Sequence, residues 1–132
     1  MLELFRVLLA TLLAMHGLLH LLWFLAAWTS VRTGMGDGAW VLPGNVTIRS
    51  PIGKALGVVA VVAAGVFLVA ALGLLLNQVW WAGWAQVGVF LSWAAVAPWL
   101  RQSPRSSATT VIIADLVLMF VLALELSLEV TA

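Results

Sequence analysis

Cysteine is absent from this 132-residue chain. That excludes disulfides, thiolate metal sites and thiol redox chemistry. Charge is scarce: Asp, Glu, Lys and Arg make up 8% of the residues, where a soluble domain carries about 25%. A water-soluble fold would have too little charge to cover its surface, so the composition points to an integral membrane protein. The formal net charge of +1 is too small to suggest a nucleic-acid partner. Histidine occurs twice, at His16 and His20. Nucleotide motifs are missing as well. The Gly-Met-Gly-Asp-Gly run at 34–38 is followed by no Gly-Lys-Ser/Thr, so it reads as a flexible loop rather than a phosphate cradle.

What the chain has is apolar length: 64% of its residues are hydrophobic and the mean hydropathy is +1.16. Four apolar runs stand out, from about Leu4 to Trp28, Ile52 to Leu76, Trp81 to Leu100 and Ala108 to Leu128. Each is close to the roughly 20 residues a helix needs to cross a bilayer. None shows the alternation of a barrel strand, and in lipid the backbone must satisfy itself. The expected fold is all-α: one domain over residues 1–132, a four-helix transmembrane bundle with up-down topology. The first apolar run exceeds the ~7–15 residues of a signal-peptide core and ends in a poor cleavage sequence, Ala26-Ala27-Trp28, so it reads as a retained helix.

The connections differ in kind. Thr29 to Pro51 is long and glycine-rich, with Gly34, Gly36, Gly38, Gly44 and Pro43. The Asn77-Gln78 connection is short and makes the second and third helices a tight antiparallel hairpin. Arg101 to Ser107 is polar, contains Pro104, and offers Ser106 or Ser107 as a helix cap. Pro98 either kinks the third helix or marks its exit. The first and third connections lie on one side and hold Arg32, Arg49, Lys54, Arg101 and Arg105, against Arg6 on the other. The positive-inside rule then places both loops in the cytoplasm and both termini outside a cell (inner) membrane. Trp28, Trp40 and Trp99 on one side, with Trp80, Trp81 and Trp84 on the other, read as aromatic belts. Small residues at Gly53, Gly57, Ala60 and Ala64 form a stripe suited either to packing within the bundle or to a homodimer seam.

Polar groups deep in such a bundle face its interior or a partner. His16 and His20 are four apart and share a helix face. Counting from the helix ends puts Asp115 on the fourth helix and His20 on the first at matching depth, each roughly 10 Å from the same side. Ser92 and Trp93 on the third helix fall at that level. The expected cluster is therefore His16, His20, Asp115, Ser92 and Trp93, with Asp115 reaching His20 directly or through water and His16 one turn deeper. It admits three readings: a polar clasp between the first and fourth helices, a proton or ion relay, and a metal or redox-cofactor site with His16, His20 and Asp115 as ligands. Glu125 and Glu129 read as interfacial carboxylates, Glu3 and Arg6 as an interfacial pair, and Thr11 as within reach of Gln86.

The motif His16-Gly17-x-x-His20-Leu21, followed by Ser50-Pro51-x-Gly53-Lys54-x-Leu56-Gly57, resembles a group of small bacterial four-helix integral membrane proteins with no assigned function. The resemblance implies that His16, His20, Pro51 and Gly57 are family features, and it implies no activity. In size and helix count the chain is also similar to small multidrug transporters. Those carry a membrane-embedded Glu in the first helix, where this chain has His16 and His20, and its acid is Asp115 on the fourth.

The leading functional expectation is a non-enzymatic membrane protein. It would be an accessory or assembly subunit, or a binder of a hydrophobic small molecule such as a lipid or quinone. One alternative is a proton-coupled transporter acting as a homodimer, with an Asp115–His20 relay. Another is metal or redox-cofactor binding at His16 and His20. The expected partners are the lipid bilayer and either another membrane protein or a second copy, with no nucleic acid.

Overall fold

The apolar runs fold as four helices, α1 (Leu2–Trp28), α2 (Pro51–Leu75), α3 (Trp81–Val96) and α4 (Ser107–Thr131). The computed structural model describes residues 2–31, 38–39, 42, 46–102 and 107–131. Among these the fold is all-α. The first connection contributes an isolated antiparallel bridge between Gly38 and Thr47. The proposed cap at Ser106 or Ser107, the side chains of Glu125 and Glu129, and Arg32, Trp40, Pro43, Arg101, Pro104 and Arg105 lie outside what is described at side-chain level.

Local chemistry sets the helix ends. Ser50 caps α2: its hydroxyl donates to the Thr47 carbonyl at 2.7 Å and accepts from the Gly53 N–H at 3.2 Å. Pro51 follows at the first helical position, where a missing N–H costs nothing. At the other end Gln78 N–H donates to the Gly73 carbonyl at 2.9 Å and Asn77 N–H to Leu74 at 3.1 Å, with Asn77 at φ 54°. This is a Schellman stop with asparagine in the left-handed position, and it turns α2 back into α3. The α-helical part of α3 ends at Val96, short of the expected Leu100. The chain continues as a 3-10 helix, Ala97–Gln102, because Pro98 has no N–H for the α-helical ladder.

Gly53 shows how tightly the first connection closes onto α2. A Cβ there would lie 2.1 Å from the Ile48 carbonyl oxygen and 2.6 Å from that of Thr47. Both atoms are backbone and cannot swing away. Gly53→Ala is expected to lose about 1–3 kcal/mol, read as a lower thermal midpoint in detergent. Gly65→Ala is the control: its Cβ would meet nothing within 4 Å, and the gain in helix propensity favours it by up to about 1 kcal/mol.

Packing is closest between helices consecutive in the chain, α1 on α2, α2 on α3 and α3 on α4. The interior has two apolar layers. One holds Ala10 and Leu13 of α1, Phe67, Ala70, Ala71 and Leu74 of α2, Trp81, Ala85 and Val89 of α3, and Leu118 and Leu122 of α4. The other holds Trp23, Ala26 and Ala27, then Ala60, then Ala95, Val96 and Trp99, then Ala108 and Val111, closed by Ile48 from the first connection. The small-residue stripe of α2 is used internally, since Gly53, Gly57, Ala60 and Ala64 are all buried. Gly57 lets Ala27 and the backbone of Phe24 come close.

The outward face is itself apolar. Leu4, Leu8, Leu12, Met15 and Leu19 of α1, Val58, Val62 and Leu72 of α2, Phe90 of α3 and Phe120 of α4 are exposed. The buried polar side chains, His20, Ser92 and Asp115, lie inside among alanines, glycines and a smaller set of large apolar residues. By length and composition two of the helices can cross a membrane, over Glu3–Trp28 and Pro51–Leu75, and Ala108–Leu122 is a shorter apolar segment.

Three expectations change. Trp81 and Trp99 are buried core residues rather than belt residues, and the Trp99 indole donates to the Ala95 carbonyl. Trp28, Trp80 and Trp84 are exposed as belt residues would be. The Trp28 indole donates to the Lys54 carbonyl, with the Lys54 ammonium 5.4 Å from its ring centre. Thr11 bonds the Val7 carbonyl of its own helix at 2.8 Å, not Gln86, because a helical threonine finds a partner one turn back. The Glu3–Arg6 pair forms.

Candidate functional site: a buried polar chain between two apolar layers

Each helix except α2 places a polar side chain between its contributions to the two apolar layers. On α1, His16 and His20 lie between Leu13 and Trp23. On α3, Ser92 lies between Val89 and Ala95. On α4, Asp115 lies between Val111 and Leu118. His20, Ser92 and Asp115 are 0% exposed, while the His16 side chain is 11% exposed.

These groups form one unbroken chain. His16 Nε2 bonds Asp115 Oδ1 at 2.7 Å. Ser92 Oγ donates to Asp115 Oδ2. His20 Nε2 bonds Ser92 Oγ at 2.7 Å, and His20 Nδ1 donates to the His16 carbonyl at 2.9 Å. Asp115 thus reaches His20 through the serine hydroxyl, where a direct or water-mediated bond was expected. Its direct histidine partner is His16. The arrangement spans three helices and ties α4 to α1, whose backbones are not closely packed on each other.

Phe67 forms the wall. It is 0% exposed and meets His16 edge-on at 4.9 Å between ring centres and His20 at 5.5 Å. Two glycines make room for it: a Cβ on Gly17 would lie 2.8 Å from Phe67 Cβ, and one on Gly88 2.9 Å from the ring. Sequence reasoning missed Phe67, since an aromatic in an apolar run carries no signal of its own. The signal available was Gly17 and Gly88, two glycines inside helices. Trp93 was expected in the cluster and adds no polar contact to it. Its ring packs edge-on to Phe90, and its buried indole N–H has no hydrogen-bond partner.

A metal at His16 and His20 would need two nitrogens on one ion at about 2.0–2.1 Å. The rings instead stand edge to face, 80° apart with centres 4.9 Å apart. Both nitrogens of His20 and Nε2 of His16 are already bonded. Among the described residues, no group of three or more His, Cys, Asp or Glu side chains is arranged to hold an ion. What the arrangement can do chemically is hold and pass protons.

Compared with protein-family models, with curated proteins and with solved structures, the chain matches none.

Proposed function

We propose that this chain is a small multi-pass integral membrane protein without enzymatic activity, an accessory or assembly subunit whose polar chain clasps its helices together. The observation that carries the reading is where the polar groups lie. Leucines, valines and phenylalanines cover the outward face, and the His16–Asp115–Ser92–His20 chain is closed on itself between apolar layers. Lipid is the solvent in which that distribution is favourable. Lengths agree with it. The 25 residues each of α2 and α4 give about 37 Å of rise. The α-helical and 3-10 parts of α3 supply up to about 36 Å, against roughly 30 Å of hydrocarbon. The cation count supports an orientation with the first and third connections in the cytoplasm and both termini outside.

Because cysteine is absent, single cysteines report orientation without background. A cysteine at Arg49 is expected to label only from the cytoplasmic side of sealed cells or vesicles, and one at Gln78 only from outside. Function is tested by native mass spectrometry after extraction in mild detergent. The expected species is this chain bound to a different membrane protein. A bare homodimer would overturn the accessory reading in favour of a proton-coupled transporter, the second reading, which the Asp115–Ser92–His20 link favours.

A further inference from the structure

Three consecutive contacts fix how many protons the cluster holds. They join Asp115 Oδ2 to Ser92 Oγ, Ser92 Oγ to His20 Nε2, and His20 Nδ1 to the His16 carbonyl. Each contact needs one proton between its two atoms, and the carbonyl has none to give. Serine brings one and a neutral imidazole brings one. The third must be additional. The contact between His16 Nε2 and Asp115 Oδ1 uses the proton His16 itself carries, so it leaves the count unchanged. We propose that the cluster is a proton-binding site holding one labile proton, shared between Asp115 and His20 through the Ser92 hydroxyl.

Two arrangements satisfy every contact. In the first, Asp115 is a carboxylic acid donating to Ser92, Ser92 donates to His20 Nε2, and His20 is neutral with its proton on Nδ1. In the second, Asp115 is a carboxylate accepting from Ser92, and His20 is an imidazolium donating from both nitrogens. They interconvert by two coupled transfers. The Asp115 O–H bond breaks as a new Ser92 O–H forms, and the original Ser92 O–H breaks as His20 Nε2–H forms. No heavy atom has to move far and no co-reactant is consumed.

Both arrangements leave the cluster with zero net charge. Removing the labile proton leaves net charge −1 and forces two lone pairs to face each other at one contact. Among the described residues, no cation nearby offsets that charge. The groups facing the site are His16 and His20 from α1, Ser92 from α3 and Asp115 from α4. From α2 comes Phe67, and the one cation of that helix, Lys54, sits on Trp28. An unpaired buried charge is costly, so loss of the proton is coupled to release of a contact. His16 is the member of the cluster with exposed surface. The inference rests on these contacts alone and holds under either functional reading.

The test is nitrogen NMR of the full chain, labelled at histidine, in lipid nanodiscs, with infrared spectroscopy of the carboxyl C=O band. In the wild type, His20 is expected to carry a proton on Nδ1. The Asp115 carboxylic acid and the His20 imidazolium together should account for one proton per chain. Asp115→Asn puts an amide N–H where the labile proton was, so it should abolish the carboxyl band and pin His20 as the neutral tautomer protonated on Nδ1. Ser92→Ala cuts the path and should uncouple the His20 signal from substitution at Asp115. A wild-type His20 with a bare Nδ1 beside an ionised Asp115 would overturn the proposal. The wild-type spectra decide the matter even where a variant fails to fold.

Discussion

Asp115→Ala is expected to destabilise the protein by about 2–3 kcal/mol, and Asp115→Asn by less than about 1 kcal/mol. The difference comes from what each leaves unbonded. Asp115 is hydrogen-bonded to His16 and to Ser92. With alanine there, Ser92 can redirect its hydroxyl to His20 Nε2, and His20 keeps its bond to the His16 carbonyl. The His16 Nε2–H is then stranded, and a stranded buried donor costs about 1–3 kcal/mol. A small cavity adds to it. Asparagine keeps all four contacts, donating to Ser92 and accepting from His16. Hydrogen bonds between membrane helices average only about 0.6 kcal/mol, so loss of a bond alone would give a much smaller effect. Because α1 and α4 backbones are not closely packed, hydrogen exchange in the alanine variant should rise first in α4. Thermal unfolding in detergent with exchange mass spectrometry measures both. Equal destabilisation by Ala and Asn would mean that the cluster demands charge rather than hydrogen-bond geometry.

Phe67→Ala is the second large effect. In water a buried Phe→Ala costs about 3–5 kcal/mol, part of it transfer free energy. On the membrane reading most of the transfer part is lost, because hydrocarbon does not drive burial. The cavity term survives: roughly 100 Å³ at about 24 cal/mol per Å³ gives about 2.4 kcal/mol. Gly88→Ala alone is also destabilising, since its Cβ would lie 2.9–3.1 Å from three ring atoms of Phe67. Combined, the two should offset each other, because the new methyl enters the space the ring has left. The double variant is expected to be more stable than the sum of the single effects by about 0.5–3 kcal/mol, the range for directly contacting residues. Additive losses would show that Gly88 is kept small for another reason.

The four helices were legible from their apolar runs, apart from the early end of α3 at Val96, and the depth of the polar layer could be counted because it depends on rise along the helix. Asp115, Ser92 and His20 could be aligned by counting from helix ends; all three are buried and joined by hydrogen bonds. Which histidine meets the carboxylate was not legible. His16 and His20 differ by about 40° of azimuth and one turn of rise, and the outcome depends on helix rotation, which packing partners decide. Here Gly17 faces Phe67 and Ala64 closely enough that a Cβ would collide with them. The tryptophans were misread at Trp81 and Trp99 for a related reason. Position along the helix says how close a residue is to the interface, and only the packing says whether it points outward.

The order of the polar groups along the chain bears on how the protein is made. Chains emerge from the ribosome N-terminal end first. His16, His20 and Ser92 lie on α1 and α3, and Asp115 lies on α4. α1, α2 and α3 can pack on one another before α4 is synthesised. On the membrane reading, the acid therefore enters the bilayer last and finds its donors already assembled. An acid on α1 would instead wait in hydrocarbon through the synthesis of three more helices. Circular permutation placing α4 first would leave every contact of the finished fold intact and lower the yield of inserted protein.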